Sequence, residues 1–180
     1  MDLTELTIND IPYKVIKLLG KGKGGYSYLV CKDNSFYVIK QIHHEPCSYY
    51  NFGNKLESEI NDYEKLCGVN INLPRLIEID YKEERILKEY IEGPTVYDLV
   101  KNDLITEEII KSVENMARKC FEHNLNIDYY PTNFIVRNNE VYYIDYECNL
   151  YDEKWNFSNW GIKYYSKTKE FLETLKWLEV

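Results

Sequence analysis

Alternating apolar and polar residues dominate the first ninety positions and predict an antiparallel sheet. Runs rich in aromatic and β-branched residues predict three strands, over 13–19, 26–31 and 35–40, with a turn at Asp33-Asn34 before the third. Two more strand-like runs follow, over 75–79 and 85–91. We expect the first three strands to form an antiparallel meander.

One amphipathic helix is predicted inside this strand-rich region, over residues 50–67. Four residues at helical spacing would share its apolar face: Leu56, Ile60, Tyr63 and Cys67. Glu59 lies on the same face, and Glu57 does not. A buried carboxylate is costly without a partner, so we expect a cation to contact Glu59.

The second half of the chain has mainly helical patterns. Gly93-Pro94 breaks the strand pattern and predicts a boundary between two parts of one domain, 1–92 and 93–180. Thr106 is a predicted N-cap, since Glu107-Glu108 and a long amphipathic pattern follow it. The remaining predicted elements are a loop over 124–132, strands over 134–136 and 141–144, and a closing helix over 167–178.

Composition narrows the functional classes. The chain is 44% apolar and 29% charged, as is typical of a globular protein, and no apolar run approaches the roughly 18 residues of a membrane span. The N-terminus lacks the pattern of a signal peptide, so we expect a cytoplasmic protein with no membrane partner. A net charge of −8 disfavours nucleic-acid binding but not a local nucleotide pocket.

Cysteine and histidine positions suggest structural roles. The five cysteines include no CxxC pair, which argues against a disulfide framework or zinc finger and favours a reducing compartment. We expect Cys67 and Cys120 to be core residues on apolar helix faces. His43-His44 favours a solvated turn over a metal site, because adjacent strand residues point to opposite faces.

Four of the eight glycines lie within six positions: Gly20, Gly22, Gly24 and Gly25. A Rossmann fold uses this spacing between a strand and a helix, but here a strand follows, and the candidate acidic residue Glu45 lies in a polar loop. A plain glycine-rich hairpin is a second interpretation. The third is a glycine loop that covers the phosphates of ATP, as in protein kinases.

The kinase interpretation requires four further features, and all of them occur in order. The third strand ends on Lys40, and the following helix carries Glu59 on its inward face. Asp128 and Asn133 have the spacing Asp-x-x-x-x-Asn after a long helix, and Asp145 ends a short strand further on. Each feature is common alone, but all five in this order form a strong joint signal.

Over residues 13–147 the chain resembles the protein-kinase-like superfamily. It departs from ordinary eukaryotic protein kinases at three places. Asn126-Ile127 occupies the position of the usual His-Arg before the catalytic Asp, and Asp145-Tyr146-Glu147 occupies that of Asp-Phe-Gly. Ser27 replaces the valine expected after the glycine loop. The Asp-x-x-Pro-x-Asn loop and Glu147 are similar to aminoglycoside and choline phosphotransferases. The short chain resembles small atypical kinases, namely the RIO kinases and the kinase of the tRNA threonylcarbamoylation (KEOPS) complex.

This resemblance implies a minimal two-lobed α+β fold, with a five-stranded N-lobe carrying one helix and a truncated, mainly helical C-lobe. It also implies ATP and Mg²⁺ as cofactors. The backbone of Gly20 to Gly25 would approach the phosphates, and Lys40, held by Glu59, would neutralise them. A hinge from Glu89 to Ile91 would bind adenine through its backbone.

The same resemblance assigns the chemical step to the second half. Asn133 and Asp145 would bind Mg²⁺, and Asp128 would accept or orient the acceptor hydroxyl. The first-choice acceptor is a protein serine or threonine. Pro131 and Glu147 favour a small hydroxylated metabolite as the alternative. A third hypothesis is an ATPase or nucleotide-binding module that regulates a partner.

The aromatic tail is predicted to pack against the C-lobe. The residues expected to do so are Trp155, Trp160, Phe171 and Trp177. A truncated lobe also leaves apolar surface that a protein partner could cover.

Overall fold

A computed structural model of the chain describes residues 3–45 and 53–178. The chain divides into two compact units: the first holds Met1–Asn61 and Pro74–Tyr90, and the second holds Asp62–Leu73 and Ile91–Val180. The division thus lies two residues before the expected boundary, and residues 62–73 group with the second unit. Leu66 and Val69 explain that grouping, because they are buried in the hydrophobic core of the second unit.

The first unit is built on a six-stranded antiparallel sheet in the order β1-β2-β3-β4-β6-β5. The α+β class is confirmed, but the predicted sheet was one strand short. The missed strand is β1, whose four residues give too short an alternation to stand out. The strands are β1 (Glu5–Ile8), β2 (Ile11–Lys21), β3 (Gly25–Lys32), β4 (Ser35–Ile42), β5 (Leu76–Asp80) and β6 (Arg85–Glu89).

Two hairpins of this sheet have two-residue turns made of Asn and Asp. Asn9 and Asp10 join β1 to β2 with φ of 48° and 65°, and Asp33 and Asn34 join β3 to β4 with φ of 50° and 60°. Positive φ at both central residues is what a type I′ hairpin turn requires, and Asn and Asp tolerate it. The Asp33-Asn34 turn is confirmed, and Asn9-Asp10 was the sequence signal for the missed strand.

Side chains link strand β1 to strands β5 and β6, so the sheet curls. The Asn9 backbone N–H donates to Asp80 Oδ2 at 2.7 Å. Arg85 Nη1 donates to both the carbonyl and the hydroxyl oxygen of Thr7, each at 2.9 Å. The curled sheet surrounds a small apolar core of Leu6, Ile8, Tyr13, Val30, Ile39 and Leu87.

Helix α1 (Lys55–Val69) follows β4. Its predicted start at residue 50 lies outside the described residues. Leu56 and Glu59 are buried as expected. Cys67 is exposed, so its assignment to the core was wrong. Leu66 takes the inward position instead, because one residue is about 100° of helical rotation.

The second unit combines three further helices with two small strand pairs. The helices are α2 (Val96–Lys101), α3 (Glu107–Glu122) and α4 (Lys169–Leu178). The strands are β7 (Leu125–Ile127), β8 (Phe134–Arg137), β9 (Glu140–Tyr143) and β10 (Cys148–Leu150). Thr106 caps α3 as predicted, and β8 pairs with β9 in the predicted hairpin. The β7–β10 pair was missed, since three residues carry no clear alternation.

Aromatic residues of the tail enter the core of the second unit. Phe171 is fully buried and Trp160 packs against the same core, as predicted. Trp155 contradicts its prediction, because its side chain is 47% exposed and its ring contacts Trp160 at the surface. Phe157 and Tyr165 fill the core instead. The side chain of Trp177 lies outside the described residues. Among the described helices, none has the length and apolar character needed to cross a membrane.

Candidate active site

The glycine cluster lies where β2 turns into β3. The turn consists of residues 22–24, and the N–H of Gly22 donates to the carbonyl oxygen of Gly25 at 2.9 Å. A strand follows the glycines, so the helix that a Rossmann site needs is absent at this position. Glu45, its candidate acidic residue, pairs at the surface with Lys21 Nζ at 2.6 Å.

The glycines of this cluster differ in how much space a side chain would have at each position. A Cβ at Gly25 would lie 2.4 Å from the carbonyl oxygen of Gln41, so this glycine allows β3 and β4 to approach. A Cβ at Gly20 would meet nothing within 4 Å. At Gly24 the nearest atoms are those of Lys40, 3.9 Å away. Gly25 therefore has a structural role in strand packing, whereas no other atom lies close to the position of a side chain at Gly20.

Alanine substitutions should separate these two roles. We expect Gly25→Ala to lower the free energy of unfolding by about 1–3 kcal/mol, because the methyl group would force the β3 and β4 backbones apart. Gly20→Ala, the matched control, should leave stability unchanged or raised, since alanine costs less entropy in a strand. Thermal unfolding followed by circular dichroism measures both. Equal melting temperatures for the two variants would contradict the assignment of Gly25.

Lys55 anchors the glycine turn and was not identified from the sequence. It is 8% exposed, and its Nζ donates to the carbonyl oxygens of Lys23 at 3.1 Å and His43 at 2.6 Å. The His43 ring also hydrogen-bonds the carbonyl oxygen of Gly22 at 2.9 Å. The available signal was the position of Lys55, four residues before Glu59 and hence on the same helix face.

The predicted ion pair between Lys40 and Glu59 is confirmed. Lys40 Nζ lies 2.7 Å from Glu59 Oε2, with side-chain exposures of 12% and 9%. Glu57 is exposed, as the helical register predicted. In the low dielectric of a protein interior, such a partner fixes the ammonium group at the end of β4. The other oxygen, Glu59 Oε1, is buried without a hydrogen-bond partner among the described residues.

In the second unit, the segment Asp128–Asn133 closes on itself. Asp128 Oδ1 accepts the N–H of Tyr130 at 3.0 Å, and Asn133 Nδ2 donates to the carbonyl oxygen of Asp128 at 3.3 Å. Residues Pro131–Asn133 form a single 3₁₀ turn that Pro131 starts. Proline therefore helps to set the spacing between the two candidate functional side chains.

Asp145 is tied to the same segment through the backbone. The N–H of Ile144 donates to the carbonyl oxygen of Asn133 at 2.9 Å. Asp145 Oδ1 accepts the N–H of Tyr146 at 2.8 Å. The second unit thus holds a set of hydrogen bonds that joins Asp128, Asn133 and Ile144, the residue before Asp145.

Tyr143 belongs to this set, and sequence reasoning missed it. Its side chain is fully buried, its hydroxyl donates to the carbonyl oxygen of Glu147 at 2.8 Å, and it accepts the N–H of Asp128 at 3.3 Å. Burial first, then the nearby charges of Asp145 and Asp128, raise the pKa of Tyr143 well above its ordinary value. The phenol therefore stays protonated at neutral pH.

The oxygen atoms of Asn133 and Asp145 are chemically suited to Mg²⁺. Magnesium in nucleotide sites takes one or two protein oxygens and completes its shell with phosphates and water, so two ligands suffice. Because Asn133 Nδ2 donates to Asp128, the amide oxygen of Asn133 is the atom that could ligate. No group of three or more His, Cys, Asp or Glu that could hold a metal occurs within 3–45 and 53–178.

The predicted hinge residues, Glu89 to Ile91, lie where the chain passes from the first unit to the second. The N–H of Glu89 donates to the carbonyl oxygen of Arg75 at 2.9 Å, and its carboxylate lies 3.6 Å from Arg75 Nε. Ile91 is buried. Their adenine-binding role stays a prediction.

A cavity, two buried thiols and one histidine pair of the described chain include none of the predicted site residues. A cavity of about 530 Å³ lies between α3 and residues 151–158 of the second unit, lined in part by Arg118 and Asn156. The thiols of Cys120 and Cys148 are buried, which raises the pKa of each to about 12. At neutral pH they are protonated and poor nucleophiles. His44 is exposed and pairs with Glu84 at 2.6 Å.

Comparison with known proteins supports the kinase interpretation. No family model matches the chain. It is 28% identical over 100 residues to a probable serine/threonine-protein kinase BUD32 homolog from Archaeoglobus fulgidus, covering 56% of this chain and 47% of the relative. It is 32% identical over 87 residues to the KEOPS complex subunit Bud32 of Pyrococcus abyssi, covering 46% of this chain and 39% of the relative. The resemblance to atypical kinases is confirmed.

A third relative extends the same pattern. The chain is 31% identical over 85 residues to a probable bifunctional tRNA threonylcarbamoyladenosine biosynthesis protein from Methanococcus vannielii. That match covers 47% of this chain and 15% of the relative. The chain therefore spans less than half the length of each of these curated relatives.

Proposed function

We propose that this chain is a Mg-ATP-dependent phosphotransferase that moves the γ-phosphate to a serine or threonine hydroxyl of a protein. The observation that carries the proposal is the buried Lys40–Glu59 ion pair at 2.7 Å. A kinase needs this pair to hold a lysine against the nucleotide phosphates. The name of the Archaeoglobus relative, a probable serine/threonine-protein kinase, supports the same activity.

Each unit holds its own candidate residues for nucleotide handling. In the first unit, backbone amides of the turn that follows Gly20 would approach the phosphates, and Lys40 would offset their negative charge. In the second unit, Asn133 and Asp145 would hold Mg²⁺. The metal, when bound, supplies further charge neutralisation to the phosphate oxygens.

The transfer step uses Asp128. The acceptor hydroxyl oxygen forms a bond to the γ-phosphorus as the bond from that phosphorus to the β–γ bridging oxygen breaks. The bridging oxygen keeps the electron pair and leaves as part of ADP. Asp128 takes the hydroxyl proton, and its hydrogen bond from the N–H of Tyr130 holds the carboxylate in place.

Labelled ATP tests the proposed transfer directly. The purified chain is incubated with Mg²⁺ and ATP labelled at the γ-phosphate, alone and with a protein acceptor or with choline or an aminoglycoside. We expect label on protein serine or threonine, in the acceptor or in the chain itself. Label confined to the small molecule would replace this proposal with a metabolite kinase. Label appearing only as free phosphate would replace it with an ATPase.

We also propose that the chain acts together with another protein. The Pyrococcus relative is named as a subunit of a complex, which supports this assignment. Native purification from the source cells, followed by mass spectrometry and sedimentation, tests it. We expect a stoichiometric companion protein, and recovery of the chain as a lone monomer would contradict the proposal.

A further inference from the structure

One buried phenol joins the two acidic segments of the second unit. The Tyr143 hydroxyl donates to the carbonyl oxygen of Glu147 at 2.8 Å and accepts the N–H of Asp128 at 3.3 Å. Its two partners are backbone groups, one at the proposed proton acceptor and one two residues beyond the proposed metal ligand Asp145. One oxygen atom therefore links the backbones of the two segments.

We infer that Tyr143 is a positioning residue that sets the Asp128 backbone relative to the Asp145–Glu147 segment. This inference rests on the proposed function, since it concerns the geometry of the proposed transfer step. Tyr143 acts through Asp128 and Asp145 and has no direct contact with the reacting atoms assigned to it.

A hydroxyl is the group that this position needs. It can donate and accept at once, whereas phenylalanine can do neither, and a charged side chain would be costly in a fully buried position. Without it, the N–H of Asp128 and the carbonyl of Glu147 lose a partner inside the protein. The hydrogen bonds from Tyr130 and Asn133 go to the carboxylate and the carbonyl oxygen of Asp128, so they do not serve its N–H.

The test compares two buried tyrosines that each lose a hydroxyl. Tyr143→Phe removes the bridge. Tyr97→Phe is the matched control, because Tyr97 is also buried in the second unit and its hydroxyl meets Thr174 Oγ1 at 3.3 Å. Its ring packs 6.3 Å from that of Tyr130, and the substitution keeps this ring. Steady-state kinetics give kcat and KM for ATP, and hydrogen exchange measured by NMR reports the amide of Asp128.

For Tyr143→Phe we expect kcat to fall about ten- to hundredfold, because a loosened Asp128 spends less time in the reactive geometry. The KM for ATP should stay within about twofold of wild type. The Asp128 amide should exchange faster in this variant, while the Ile144 amide, bonded to Asn133, stays protected. Tyr97→Phe should match wild type in kcat, KM and exchange at Asp128.

A wild-type kcat together with unchanged exchange at Asp128 in Tyr143→Phe would overturn the inference. An equal loss of kcat in Tyr97→Phe would also overturn it, because the effect would then be general loosening. If Tyr143→Phe does not fold, the wild-type chain decides: the account requires an Asp128 amide protected from exchange, and an unprotected amide contradicts it. If wild type transfers no phosphate, the proposed function fails, and the exchange measurement still decides whether the bridge exists.

Discussion

Asp128→Asn should keep Mg-ATP affinity near that of wild type and still lower the rate of phosphate transfer by about 10²–10⁴. The substitution removes the proton acceptor but preserves the side-chain shape and an oxygen for the N–H of Tyr130. Calorimetric titration with Mg-ATP measures the affinity, and release of label from γ-labelled ATP measures the rate. Wild-type turnover in this variant would remove Asp128 from the mechanism.

Asp145→Asn is the matched comparison, because it likewise replaces a carboxylate with an amide of similar shape. The expected result differs, since a lost metal ligand takes away charge compensation that the phosphates need. Mg-ATP affinity and turnover should therefore fall together. If both variants kept full affinity, Asp145 would have no part in metal binding.

Phe171→Ala should lower the free energy of unfolding by about 3–5 kcal/mol. Phe171 is fully buried in α4, and its ring lies 4.9 Å from that of Tyr97 in the core of the second unit. Removing the ring leaves a cavity that the surrounding helices fill only in part. Chemical denaturation followed by fluorescence and circular dichroism gives the difference from wild type.

Leu172→Ala is the control for this substitution, since Leu172 is the next residue of α4 and its side chain is 44% exposed. It should change the free energy of unfolding by no more than about 0.5 kcal/mol. Similar losses for both variants would mean that α4 is not docked by Phe171. A stable Phe171→Ala would show that the tail contributes little to the core.

Local sequence patterns predicted most elements that carry candidate site residues. Alternation located the strands around the glycine cluster and Lys40, and helical spacing placed Glu59 on the inward face. The same spacing failed at Cys67, because apolar residues occur at neighbouring positions and Leu66 is the one that faces inward. Patterns thus identified the elements better than the individual buried residues.

Long-range contacts were beyond sequence reasoning. Lys55 anchors the glycine turn by donating to two backbone carbonyls, and backbone acceptors carry no side-chain signal. Tyr143 is one of 18 tyrosines, and residue type alone does not distinguish it from the others. Short strands such as β1 and β7 form because partners elsewhere in the chain bind them, which local propensity does not record.

Calorimetric titration of the wild-type protein with ATP is the sharpest test of the proposed Mg-ATP binding. ATP is titrated into the full chain with Mg²⁺ present, and again with EDTA in its place. We expect saturable binding of one ATP per chain, and this binding should weaken strongly in EDTA. Absence of saturable ATP binding with Mg²⁺ present would contradict it.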